Sequence, residues 1–289
     1  SGVMLSMGTA GTPNAYQRVG FPRASSGSMM RPMTLKAEAV LAHVVVITVA
    51  IGSLLVAPVD TQVRRRAVYD FTGDGTSDLL FRSGDHLGFW EFRAGSVIGR
   101  RYLGQVTDDW EVVGLGDYNG DGTSDILFRH PATGAIGYWS IANGAMVTFV
   151  PLAWATGTDW SVVSSFKRSD LNGDRRDDIL WHNHKTGELG YYALKGGGPF
   201  EFEWIVLGRF ERSYWRVVGT GDFTGDGRAD ILWMSAERRI GYFRVDGSAW
   251  EWVELLPRVP DGWSVKTIGD FDGDNFDDIY WGYLTNDVI

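Results

Sequence analysis

The chain has 289 residues, 44% of them hydrophobic, enough for one large domain. Its net charge of −9 lacks the basic footprint of nucleic-acid binding, so no nucleic-acid partner is expected. The absence of cysteine excludes disulfides, thiolate metal sites, a cysteine nucleophile and a lipid-anchor cysteine, and leaves the compartment open.

Residues 1–29 are rich in Ser, Gly, Ala and Met without any period and read as a disordered or upstream segment. Residues 30–57 open with Met30-Arg31-Pro32-Met33 and Lys36, then run apolar from Ala39 to Ala57 except for His43, Thr48 and Ser53. A basic start followed by an apolar stretch reads as a signal peptide. An uncleaved signal anchor is the alternative, because ~20 apolar residues also span a bilayer. Either reading places the chain outside the cytoplasm, secreted or at the cell surface. Membrane contact is expected only through this segment, if it stays uncleaved.

From residue 58 to 289 one pattern dominates. An eleven-residue Asp/Gly motif occurs five times: Asp70–Leu80, Asp117–Leu127, Asp170–Leu180, Asp222–Leu232 and Asp270–Tyr280, at intervals of 47, 53, 52 and 48 residues. Self-similarity at this period points to a repeat architecture. The loops proper are 70–78, 117–125, 170–178, 222–230 and 270–278. Positions 1, 5 and 9 are aspartate throughout: Asp70, Asp74 and Asp78; Asp117, Asp121 and Asp125; Asp170, Asp174 and Asp178; Asp222, Asp226 and Asp230; Asp270, Asp274 and Asp278. Position 3 always bears a side-chain oxygen, from Thr72, Asn119, Asn172, Thr224 or Asp272.

Calcium takes six to eight hard oxygen ligands, and alternate residues of a tight loop can turn inward onto one ion. Position 7 (Thr76, Thr123, Arg176, Arg228 and Phe276) would add its backbone carbonyl, by analogy with the EF-hand loop. No His or Cys lies in the loops, which argues against zinc and copper. The expected cofactor is therefore Ca²⁺, up to five ions, whose ten charges would nearly cancel the acidity. The loops are not EF-hands, because an apolar strand-like pair follows position 9 at once and no helix carries a Glu at position 12. An Asp/Gly-rich hairpin turn without metal is the plain alternative. Position 6 departs from Gly at Arg175 and Asn275. Arg tolerates positive φ poorly, so the third loop is expected to be the weakest site or altered in shape.

Between the loops, alternating Trp and Val precede four of them, at Trp110, Trp160, Trp215 and Trp263. A short apolar strand follows each loop, as in Ile126-Leu127-Phe128 and Ile231-Leu232-Trp233. A turn then leads to a third strand: Leu87–Phe92, Ile136–Ile141, Leu189–Leu194 and Ile240–Val245. Its second residue is Gly88, Gly137, Gly190 or Gly241, and two aromatics come next. Weaker fourth strands are expected at Met146–Leu152, Phe202–Leu207 and Trp250–Leu255. Aromatics on both faces of the third strand require cover on both faces. Sheets stacked around an axis supply it, so the fold class is all-β, a β-propeller of four-stranded antiparallel blades. The fifth unit stops after its second strand, so four complete blades and a partial fifth are expected. The ring would then be open, truncated or completed by another chain.

The spacing W-x-V-V-G-x-G-D-x-x-G-D-G-x-x-D-I-L resembles the FG-GAP / VCBS-type repeat of the integrin alpha-subunit propeller, of a group of fungal propeller lectins and of many secreted bacterial proteins. The resemblance spans roughly Arg66 to Ile289. It implies a calcium-stabilised propeller and leaves the function open, because one fold hosts many functions.

Catalysis has little support. The histidines are His43, His86, His130, His182 and His184, and only His182-x-His184 could share a strand face. No nucleophile elbow or phosphate-binding glycine loop occurs, so no enzyme is expected. A binding role fits better, with a glycan or an extracellular protein as partner. Trp154, Trp204 and Trp250 lie outside the strongest repeat positions and are candidate platforms for sugar rings, with packing between blades as the plainer reading. The alternatives are an accessory domain of a polysaccharide-degrading or peptidase enzyme, or a structural surface scaffold.

Overall fold

A computed structural model describes residues 67–107, 109–153, 157–163, 168–211 and 214–283. These residues all fall within one compact unit. The readings of residues 1–29 and 30–57, and of Trp154, lie outside the described residues. Among the described residues, no helix is long and apolar enough to cross a membrane.

Among the described residues, seventeen strands form five antiparallel sheets. The first holds β1 (Leu79–Ser83), β2 (His86–Arg93) and β3 (Ser96–Gln105). The second holds β4 (Glu111–Gly116), β5 (Asp125–Arg129), β6 (Ile136–Ala142) and β7 (Ala145–Ala153). The third holds β8 (Trp160–Val162), β9 (Ile179–Asn183), β10 (Glu188–Leu194) and β11 (Phe202–Arg209). The fourth holds β12 (Trp215–Gly221), β13 (Asp230–Ser235), β14 (Ile240–Asp246) and β15 (Ala249–Leu256). Strands β16 (Trp263–Gly269) and β17 (Asp278–Tyr283) pair as a two-stranded sheet. Each sheet pairs its strands in chain order, so four sheets form the blades of a propeller and the fifth is a partial one. The longest strand, β3, escaped the sequence reading because Gly99, Arg100, Arg101 and Gly104 interrupt its apolar alternation.

Four apolar clusters each join neighbouring sheets. Phe89 and Leu103 meet Ile126, Phe128 and Trp139 between the first and second sheets. Tyr138 and Leu127 meet Ile179 and Trp181 between the second and third. Tyr191 and Leu180 meet Ile231 and Trp233 between the third and fourth. Tyr242 and Leu232 meet Ile279 and Trp281 beyond that. Tyr138 and Trp139 therefore serve opposite junctions, as the paired aromatics of a third strand require.

The glycine that opens each third strand has a steric cause. A Cβ at Gly88, Gly137 or Gly190 would stand 2.5–2.6 Å from a carbonyl oxygen of the fourth strand, and Gly241 is equally closed by Val253. At that point the register shifts by one residue in all four blades. The extra residue is Leu103, Leu152, Leu207 or Leu255, so each bulge places a leucine at a junction.

Candidate metal-binding loops

Each Asp/Gly loop is closed by its own carboxylates. The position-1 aspartate accepts backbone N–H groups from positions 4 and 6. Gly73 and Gly75 donate to Asp70 at 2.7 and 2.8 Å, and Gly120 and Gly122 donate to Asp117 at 2.8 and 3.1 Å. Gly225 and Gly227 bind Asp222 in the same way at 2.6 and 2.9 Å. The position-5 aspartates Asp74, Asp121, Asp174, Asp226 and Asp274 each accept the N–H of position 7 at 2.8–3.0 Å. The position-9 aspartates Asp78, Asp125, Asp178, Asp230 and Asp278 reach back to the N–H of position 2 at 2.9–3.0 Å. In three blades the other oxygen of position 9 accepts an N–H of the third strand, from Phe92, Ile141 or Leu194. The position-1 aspartates Asp70, Asp117, Asp170 and Asp222 also accept the N–H of position 5 at 3.1–3.2 Å, so with about four lone-pair sites per carboxylate the capacity left for an ion lies chiefly at position 9.

The third loop keeps the common shape, contrary to one of the expectations above. Arg175 takes φ 71° and Asn275 φ 70°, beside 85°, 99° and 87° for the glycines at that position. Arg175 N–H donates to Asp170 at 2.8 Å, and that bond holds the residue in the left-handed region.

In the fifth loop three carboxylates come within reach of one ion. Carboxylate oxygens of Asp270, Asp272 and Asp278 lie within 4.8 Å of one another, the one such acidic triad among the described residues. The other loops carry Thr72, Asn119, Asn172 or Thr224 in place of Asp272 and so lack the third carboxylate. Two position-5 aspartates turn toward arginines: Asp74 pairs with Arg93 at 2.9 Å, and Asp226 lies 3.8 Å from Arg244. In the fourth loop Thr224 Oγ1 is buried with no hydrogen-bond partner among the described residues. A buried hydroxyl oxygen in that state is costly unless something coordinates it.

The electrostatics point the same way. Burial pushes the carboxyls of Asp125 and Asp178 well above the usual range, and neighbouring loop aspartates add to the effect. Burial raises Asp230 to about 7 and Asp170 to about 6. Asp78 and Asp278 are raised for the same reason. Asp74 alone among the loop carboxylates moves the other way, lowered by bonds from Thr76 and Arg93. Crowded, buried carboxylates suit a hard cation that keeps them ionised.

The loops are also linked to one another, a feature absent from the sequence reading. The N–H of position 8 donates to the position-1 carbonyl of the preceding loop, from Ser124, Asp177, Ala229 and Asp277 at 2.7–2.9 Å. Asp177 and Asp277 add a carboxylate bond to the N–H of Asp117 and Asp222, each at 2.7 Å. Position 7 supplies a second clamp. The side chains of Thr123, Arg176, Arg228 and Phe276 stand over Gly73, Gly120, Gly173 and Gly225 of the loop before. Arg176 Nε also donates to the Asn119 carbonyl at 3.2 Å. Position 8 varies among Ser, Asp and Ala, so nothing in the repeat pattern marks it as a joint.

Loop, strand and blade recur together through this region. Residues 170–233 are an FG-GAP-like repeat. That FG-GAP-like segment holds the third and fourth loops with strands β9 to β12 between them. A chain in the structure of the Photorhabdus luminescens Tc holotoxin pore (mutation TccC3-D651A) is similar at 14% identity and a TM-score of 0.36, over 75% of the present chain and 13% of that chain. The present chain thus corresponds to a small part of that chain's length. No curated protein matches the sequence.

The remaining candidates sort clearly. His182 is buried on β9, His184 Nε2 lies 3.7 Å from Asp159, and neither joins a group of three metal-ligating side chains among the described residues. Trp250 is 43% exposed, but its Nε1 donates to the Leu207 carbonyl at 2.9 Å and its ring packs on Phe243 at 4.3 Å. Trp204 packs edge-on to Trp160 at 5.3 Å.

Proposed function

We propose that this chain is a calcium-binding propeller module, secreted or displayed at the cell surface, that binds a glycan or a protein and performs no catalysis of its own. The observation that carries the calcium reading is the set of buried, mutually repelling loop carboxylates, joined by the orphaned hydroxyl of Thr224. FG-GAP repeats often bind Ca²⁺, and residues 170–233 are such a repeat. Each loop would hold its ion with the side-chain oxygens of positions 1, 3, 5 and 9 and the carbonyl of position 7, giving up to five ions. The ion would neutralise the loop and fix its strands; it supplies no reaction. An extracytoplasmic setting fits, because calcium is plentiful there. The ligand-binding role is supported by the fold, whose blades present loops and clefts around a rigid frame.

A glycan array probed in calcium and again in chelator tests the reading, with a melting curve in each buffer. Calcium-dependent capture of a glycan supports a lectin-like module. A calcium-dependent melting shift with no glycan captured moves the ligand to protein. Equal melting in both buffers removes the calcium assignment.

A further inference from the structure

The third and fourth blades carry the same frame of five aromatics at matching register positions. Trp160, Trp181, Tyr192, Phe202 and Trp204 in one answer to Trp215, Trp233, Phe243, Trp250 and Trp252 in the other. The spacings agree closely. Trp160 and Trp204 stand 5.3 Å apart and Trp215 and Trp252 5.1 Å, both edge-on. Trp181–Tyr192 is 5.4 Å against 5.3 Å for Trp233–Phe243. Tyr192–Phe202 is 4.0 Å against 4.3 Å for Phe243–Trp250, and Tyr192–Trp204 is 5.5 Å against 5.4 Å for Phe243–Trp252.

What differs is the filling. In the fourth blade Phe210 enters the frame, its ring 4.9 Å from Trp233, 5.2 Å from Phe243 and 5.4 Å from Trp250. Its N–H is anchored on the Gly187 carbonyl at 2.7 Å. Val106 and Val259 repeat the device, anchored on Asp85 and Arg238 at 2.7 Å and buried in the junctions they serve. In the third blade no described residue enters the corresponding frame, whose five aromatics line a half-open cavity of about 300 Å³.

We propose that this cavity is a docking pocket for the aromatic side chain of a partner polypeptide, a phenylalanine-sized ring that takes the place Phe210 takes next door. The proposal rests on the reading of the chain as a binding module. The chain itself shows which chemistry fits the frame. The volume is ample, since a cavity of ~150 Å³ already holds benzene. The walls offer ring faces and edges, which prefer offset or edge-on aromatic partners. A cationic ligand is disfavoured, because the Arg129 guanidinium already lies over Trp181, 5.4 Å from its centroid. Arg129 Nε is buried with no hydrogen-bond partner among the described residues, which leaves a donor beside this wall for a peptide carbonyl. A pyranose brings hydroxyls that need several partners, and the five described lining side chains are all aromatic.

The test titrates the full chain with N-acetyl-L-phenylalaninamide, N-acetyl-L-leucinamide and methyl β-D-glucopyranoside, followed by tryptophan fluorescence and saturation-transfer NMR. The phenylalanine compound is expected to saturate one site, at least tenfold tighter than the other two. Phe210→Ala should open a second site of similar affinity in the fourth blade, and Trp204→Ala should remove the first. Absence of phenylalaninamide binding to the unaltered chain overturns the proposal, as does glucoside binding of equal or greater strength. A single site that persists in Phe210→Ala overturns the claim that Phe210 marks the ligand. The glycan array separates the two failures: calcium-dependent glycan capture without phenylalaninamide binding sinks the pocket and leaves the module standing.

Discussion

The second and third repeats and the first and fifth share one motif but live in different surroundings. Ile126 and Phe128 are buried in the junction with the first sheet, whereas the equivalent Leu79 and Phe81 of the first repeat are 48% and 38% exposed. At the other end Phe271 is 49% exposed where Tyr118 and Leu171 are fully buried. The loop carboxylates follow the same gradient. Asp125 and Asp178 are fully buried and pushed well above the usual range, while Asp278 is half-buried and raised less. The motif sets the shape of a loop; the neighbouring blade sets its burial and hence its electrostatics.

Calcium removal should give the largest effect and act through the middle loops. Each site filled at a hundred times its Kd adds about 2.7 kcal/mol, so several filled sites dominate the stability. The pH trend should reverse with the metal. Asp170 and Asp230 have folded pKa values of about 6 and about 7, above the ordinary carboxyl value. In chelator their contribution is therefore fully present below about pH 4 and lost as the pH rises through 6 and 7. Calcium needs the ionised form, so in calcium the melting temperature should rise over the same interval. Melting curves at pH 5 and 7.5, with and without chelator, check this. A chelated protein that is more stable at pH 7.5 than at pH 5 contradicts it.

Position 9 sharpens the comparison next. Asp178→Ala would strand the buried N–H groups of Leu171 and Leu194, at a cost of about 3 kcal/mol. Asp278→Ala releases the N–H of the exposed Phe271 and should cost about 1 kcal/mol in chelator. Denaturant midpoints of the two variants measure the gap, and equal losses would show that burial is not what separates the loops.

The clamp between loops comes third. Asp177→Ala removes a carboxylate that accepts from Asp117 N–H at 2.7 Å and Ser169 N–H at 2.6 Å, and should cost about 2 kcal/mol with no metal present. The same variant should weaken calcium binding at the second loop, whose first ligand it steadies; a calcium titration unaffected by Asp177→Ala would make the clamp purely structural.

Much of this was legible in the sequence, and the limits have physical causes. Alternation of Trp and Val, the Asp/Gly loop and the glycine of the third strand are local signals, so the blades could be placed almost to the residue. The bulged leucines, the Asp177 and Asp277 clamps and the counterpart of the Phe210 site depend on groups brought together from other strands or other repeats. No local pattern encodes them. Asp177 looks like one more acidic loop residue until the Asp117 backbone is seen beside it. The aromatic frame is written in the sequence twice, yet only packing shows that Phe210 fills one copy while no described residue fills the other.

The smallest effect tests how far the shared loop shape overrides residue preference. Arg175 occupies the left-handed region where three other loops use glycine. A non-glycine residue pays roughly 1–2 kcal/mol for that conformation, partly offset because glycine gives the unfolded chain more freedom. Arg175→Gly should therefore stabilise the protein by about 0.5–1 kcal/mol, while Gly122→Arg in the adjacent repeat should destabilise it by a similar amount. If both changes prove neutral, the hydrogen bond from position 6 to the first aspartate outweighs backbone preference in every loop. If only Arg175→Gly is neutral, the arginine side chain gives back in the third repeat what its backbone loses.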